Sequence, residues 1–252
     1  MKPLLSSCRW PELPEPYYSA LRAAVSYAIS RYEVSAVLLA GTVLRGAPDR
    51  ASDLDIFVLH RGATRQRVQK FFNSVPVELF VNPPERIPRY FEEDNPSGRP
   101  MAAHMFASGF AILDQEGQLA ALVESAQEWL AKAPAYPHQH ALFERYFAAT
   151  LIEDALDIYE RDPAGALLIL GQAVPRMLLY VFIERGENQP RQKDLLAAVA
   201  AIDPELADLA GRFSTGGSLG ERLSAAKQIA DRTIGTRGFF EWESQPERAA
   251  DG

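Results

Sequence analysis

The spacing of apolar and polar positions changes along the chain, and the changes divide it. After Pro16, which suits the first turn of a helix, Tyr18, Leu21, Val25, Ala28, Ile29 and Tyr32 recur at helical spacing. Val34 to Ala40 is then an apolar run of strand length that stops at Gly41-Thr42. A second strand pattern covers Leu54 to Val58, with apolar residues at alternate positions. Val75, Val77, Leu79 and Val81 alternate again, which puts Glu78 and Phe80 together on the opposite face. Pro83-Pro84 closes that strand, since proline cannot donate to a ladder. Phe110 to Leu113 reads as a further short strand.

The intervening segments read as helices and turns. Residues 60–73 are polar and basic, with Val68, Phe71 and Phe72 at helical spacing, so a short helix is expected there. Ile87, Tyr90 and Phe91 predict one or two helical turns, Asp94 to Gly98 a loop, and Pro100 to Ser108 another helix. An amphipathic helix is expected over 118–132, and Pro134 to Pro137 marks a boundary. Beyond it the period is helical throughout, with helices expected over about 139–160, 164–186, 191–201, 203–213 and 218–234. Residues 1–14 carry three prolines and no period, and read as an arm over the surface. The expected class is therefore α+β. A small mixed sheet flanked by helices spans 1–135, and an all-α bundle spans 136–252.

Composition narrows the function classes. The chain has 252 residues, 47% of them hydrophobic and 23% charged, as an ordinary globular protein does. A net charge of −7 argues against a general nucleic-acid grip, which needs a basic footprint. With Cys8 the single cysteine, no intrachain disulfide can form. The most apolar helical stretch, Ala173 to Ile183, is short and holds Arg176, so no membrane span is expected and the expected location is cytoplasmic.

The chemistry concentrates in 34–58. Asp53 and Asp55 sit two apart in a strand pattern, so both carboxylates project to one face while Leu54, Ile56 and Val58 point the other way. Two like charges that close are unfavourable without a cation between them, and a hard divalent ion such as Mg²⁺ is the natural occupant. Glu78 adds a third carboxylate if its strand lies beside theirs. The Gly41-Thr42 turn offers backbone N–H groups and a hydroxyl for phosphate oxygens.

Gly41-Thr42, Gly46, Ser52-Asp53-Leu54-Asp55 and Glu78 resemble the signature of the DNA polymerase β-type nucleotidyltransferase superfamily over roughly residues 15–115. Thr42 stands where that family most often has serine, and keeps the hydroxyl. The helical remainder resembles the C-terminal bundle of kanamycin- and streptomycin-type nucleotidyltransferases. The resemblance implies that Asp53, Asp55 and Glu78 are catalytic and bind two Mg²⁺ ions, and that Gly41, Thr42 and Ser52 serve the nucleotide. The implied reaction moves a nucleoside monophosphate, AMP from ATP, to a hydroxyl of a small acceptor and releases pyrophosphate. Transfer to a protein or RNA, and a nucleotide-binding regulator without turnover, are the alternatives.

Other polar residues carry weaker signals. Arg45 and Arg50 approach phosphates or are solvated loop residues, and Arg67 and Lys70 read as a solvated helix face. Arg99 and His104 line a cleft or serve packing, and His138 and His140 read as surface residues. In the bundle, Glu153 or Asp157 is a candidate general base beside an ordinary solvated face that includes Glu144 and Asp154. Arg191 and Lys193 begin a helix, where a cation opposes the macrodipole, so Lys193 is a candidate for the triphosphate. Gly216, Gly217 and Gly220 lack the lysine and spacing of a P-loop and read as a flexible turn.

Overall fold

The structure is a computed structural model and describes residues 2–45 and 52–246, without the side chains of Lys2, Pro3 and Arg45. The chain divides into two compact units, Met1–Lys132 and Ala133–Gly252.

The first unit is built on a five-stranded mixed sheet. Its strands are β1 Val34–Ala40, β2 Leu54–His60, β3 Gln66–Phe72, β4 Val75–Asn82 and β5 Phe110–Asp114, in the order β3-β4-β2-β1-β5. β2 and β4 run parallel, and the other neighbours are antiparallel. β1 is buried along its whole length, as its largely apolar run requires for a central strand covered on both faces. Helix α2 (Tyr17–Arg31) covers one face, where Leu21 and Val25 meet Val37, Ile56, Val58, Val77 and Leu79. Helices α3 (Arg86–Asp94), α4 (Met101–Ala107) and α5 (Gln118–Ala131) cover part of the other. There Ile87, Phe91, Phe106 and Leu122 meet Leu38, Phe57 and Leu59. A five-residue helix, α1 (Lys2–Ser6), forms within the stretch expected to be an arm over the surface, and Arg9 N–H donates to the Ile112 carbonyl on β5.

The expected helix over 60–73 is a strand instead. β3 pairs along β4 from Gln66 opposite Val81 to Phe72 opposite Val75. Asn73 and Ser74 both take positive φ, 48° and 65°, the requirement of a two-residue hairpin turn whose twist matches the strands. Val68 and Phe72 pack towards α2, and Phe72 meets Tyr27 edge-on at 5.6 Å. Tertiary pairing thus overrides a helical spacing carried by only three apolar residues.

The second unit is all helical: α6 (His140–Ile158), α7 (Pro163–Glu184), α8 (Leu195–Ile202), α9 (Pro204–Thr215) and α10 (Leu219–Thr233). α7 is the helix expected over 164–186, and its apolar stretch reaches beyond Ala173–Ile183, so that by length and composition alone it could cross a membrane. Here it is the central core helix, with Leu170, Ala173, Val174, Met177 and Leu178 buried against the other helices. The Ser214–Gly220 turn is held rather than loose. Ser218 and Glu221 form a reciprocal capping box at the start of α10.

Candidate metal centre

Register assembles the site. Ala40 on β1 faces Asp55 on β2, and Asp55 faces Glu78 on β4, so the three positions form one row across the sheet. The next row is Leu38, Phe57, Phe80 and, on β3, Arg67. Phe57 and Phe80 pack on the α3–α5 side, and residues two apart on a strand share a face, so Asp55 and Glu78 project there too. Asp53 lies just before β2 rather than within it, and is exposed. Asp55 is half-buried and Glu78 buried. One oxygen from each of Asp53, Asp55 and Glu78 can be chosen so that all lie within 4.8 Å of one another.

This spacing has an electrostatic consequence. Burial pushes the Asp55 carboxyl up to about 6; the charge of Asp53 adds to the shift and that of Arg67 opposes it. Glu78 is the better compensated member, because Arg67 Nε donates directly to its Oε1. The Arg67 guanidinium also lies 5.1 Å from the centre of the Phe80 ring. Arg67 therefore belongs to the carboxylate cluster, not to a solvated helix face, and Lys70 lies over the Tyr27 ring on the opposite side of β3. Strand alternation would have separated the two, but the helical reading of 60–73 hid it.

Gly41 closes the cluster from the β1 end. Its φ of 93° is open to glycine and strained for other residues, and a Cβ there would stand 2.9 Å from Asp55 Oδ2. The backbone is thus pressed against a metal-ligand candidate, leaving a bare peptide surface beside it. Thr42 opens a 3-10 turn (Thr42–Arg45), and its Oγ1 lies 3.5 Å from Oγ of the buried Ser52, so the two hydroxyl residues flank the segment that leads back to Asp53. Gly46, Arg50 and the side chain of Arg45 lie outside the described residues.

The remaining candidates are placed as follows. His104 is exposed on α4; from the same segment Met101, Ala102 and Met105 line the neighbouring cleft. His140 stacks on Tyr136 at 5.1 Å, and His138 is exposed. In the second unit, Glu144 pairs with Arg176, Glu153 packs against Gly238, and Asp154 and Asp157 are exposed on α6. Arg191 pairs with Asp194 at 2.7 Å, so its charge at that helix start is answered within the turn. Lys193 sits in the same 3-10 turn, Gln192–Asp194.

No protein-family model matches the chain, and no characterised protein matches its sequence. Among solved structures it is similar to a nucleotidyltransferase-like protein from Exiguobacterium sibiricum 255-15. The two are 15% identical, with a TM-score of 0.48 over 86% of this chain and 74% of that one.

Proposed function

We propose that the protein is a metal-dependent nucleotidyltransferase that moves a nucleoside monophosphate, AMP from ATP, to a hydroxyl of a small acceptor with release of pyrophosphate. The observation that carries this reading is the carboxylate cluster of Asp53, Asp55 and Glu78 beside a glycine whose peptide is pressed against Asp55. Three carboxylates with one arginine leave the cluster negative, and all-oxygen donors suit Mg²⁺. Asp53, Asp55 and Glu78 would hold the metal. When bound, it would supply charge neutralisation for an in-line displacement at phosphorus. The residues of this chain would do the rest. The Gly41 turn, with Thr42 and Ser52, would receive the outer phosphates, and Glu78 would take the acceptor's hydroxyl proton. The protein would act in the cytoplasm.

The test is direct. Purified protein is incubated with Mg²⁺, each labelled nucleoside triphosphate and a panel of hydroxylated acceptors, and pyrophosphate is assayed. Asp53→Ala and Asp55→Ala should each abolish release while keeping the native circular dichroism spectrum. Full activity in both variants sinks the proposal. Label on a protein or RNA would redirect it to the macromolecular alternative, and nucleotide binding without release to the regulator.

A further inference from the structure

A cleft of about 550 Å³ opens on the same sheet face, one row beyond the carboxylates and wholly within the first unit. We propose that it holds the acceptor, and that the acceptor is a planar hydroxyaryl compound, neutral or singly anionic. This rests on the nucleotidyl-transfer reading and narrows its second substrate.

Position is the first argument. In an in-line displacement the attacking and leaving oxygens lie on opposite sides of phosphorus. The row across the sheet runs Ala40, Asp55, Glu78, with Gly41 at its β1 end. If pyrophosphate leaves on the side of the Gly41 turn, the attacking oxygen arrives from the β4 and β3 side. That is where Glu78 and Arg67 meet, and Arg67 also lines the cleft. Phe80 is two residues along β4 from Glu78, roughly 6–7 Å at the rise of a strand. A ring packed against the cleft-facing edge of Phe80 therefore carries its hydroxyl towards the carboxylate row. The acceptor oxygen then bonds to the α-phosphorus as the bond to the bridging oxygen breaks. The electron pair leaves with pyrophosphate, and the hydroxyl proton passes to Glu78.

The lining is the second argument. Phe57 and Phe80 lie stacked, 4.8 Å between centres and 19° between planes, and present aromatic surface to the cleft. Met101 and Met105 contribute adaptable thioethers that suit an aromatic guest. The charges are Arg65 and Arg67 against Asp94 alone. Asp94 is already engaged, its Oδ2 accepting from Ala102 N–H at 2.9 Å. Arg67 is answered by Glu78, so an amine-rich sugar would set its ammonium groups beside the exposed Arg65 guanidinium, which is unfavourable. A flat ring with a hydroxyl at one end and at most one carboxylate meets no such penalty.

The experiment measures binding of para-cresol, para-hydroxybenzoate and kanamycin to the full-length protein by ligand-observed NMR and calorimetry, without nucleotide. Both aromatic probes should bind and kanamycin should not. Met101→Trp fills the cleft at a half-exposed position that tolerates a larger ring, and should weaken both aromatic probes about tenfold or more. Arg65→Glu, at an exposed site, should weaken para-hydroxybenzoate and leave para-cresol unchanged. Failure of both aromatic probes to bind, kanamycin binding in their place, or aromatic affinity unchanged in Met101→Trp overturns the proposal. Pyrophosphate release is read separately. Cleft binding without release under any acceptor would sink the transfer reading alone, and release insensitive to Met101→Trp would sink the cleft alone.

Discussion

Asp55 and Glu78 are register partners on adjacent parallel strands, so two carboxylates stand side by side on one face of a sheet whose other positions are mostly apolar. Neither gains stability from that placement. Burial and Asp53 together raise the Asp55 pKa to about 6, and Glu78 is held by Arg67.

The first prediction concerns stability without metal. The folded pKa of Asp55 lies above its ordinary value of 3.8, so between the two the native state binds more protons than the unfolded state. Stability contributed by protonated Asp55 therefore falls as pH rises through about 6. Asp55→Asn should melt higher than the native protein at about pH 7.5 in chelator, lose most of that advantage at about pH 4, and show no upward shift with Mg²⁺. Thermal melts at the two pH values decide it, and a variant less stable than native in chelator at the higher pH contradicts the electrostatic account.

Metal affinity should follow the same group with the opposite sign. A cation bound by Asp55 must displace its proton below about pH 6. Apparent Mg²⁺ affinity should rise about tenfold per pH unit up to that point and level off above it. Calorimetric titrations across the range would reveal a flat profile if Asp55 were not a ligand.

Gly41→Ala tests the close approach at the end of β1. Alanine must adopt a φ of 93° and find room 2.9 Å from Asp55 Oδ2. Strain of this kind costs about 1–3 kcal/mol, and relief by displacing Asp55 would weaken metal binding. A lower melting temperature and a weaker Mg²⁺ response are expected together. A variant that binds Mg²⁺ as the native protein does would mean the peptide can retreat without moving the carboxylate.

How much of this was legible in the sequence follows from what each pattern encodes. β1, β2 and β4 were readable because apolar residues fill them almost continuously or recur at every second position, and the same alternation fixed the side on which Asp55 and Glu78 project. Adjacency of β2 and β4 was not encoded locally, since β3 intervenes in sequence and lies outside β4 in the sheet. β3 itself was missed because it is an edge strand whose partly buried apolar residues, Val68 and Phe72, are four apart and equally consistent with a helix. The Asn73-Ser74 turn was the available signal. The cleft was illegible for a different reason. Phe57 and Phe80 read as ordinary strand aromatics until the register sets them side by side, and Met101 and Met105 come from a segment whose exposed neighbours Arg99 and His104 drew the attention.

Arg67→Gln separates the roles of the Arg67–Glu78 pair. Glu78 is buried, with 9% of its side chain exposed, whereas Arg67 is 67% exposed. Removing the guanidinium leaves a buried carboxylate without its cation, which destabilises the metal-free protein. The cost should be about 1–2 kcal/mol, below the range for fully buried pairs because water screens the arginine. With the local positive charge gone, the cluster is more negative and should attract Mg²⁺ more strongly, so saturating Mg²⁺ should restore more stability in the variant than it adds to the native protein. Arg67 also lies over Phe80 at the edge of the cleft, so an anionic aromatic probe should lose affinity in the same variant while a neutral one does not. Melting curves with and without Mg²⁺, together with the two probe titrations, measure all three effects on one protein. Equal Mg²⁺ stabilisation of variant and native protein would show that Arg67 and the metal do not share Glu78.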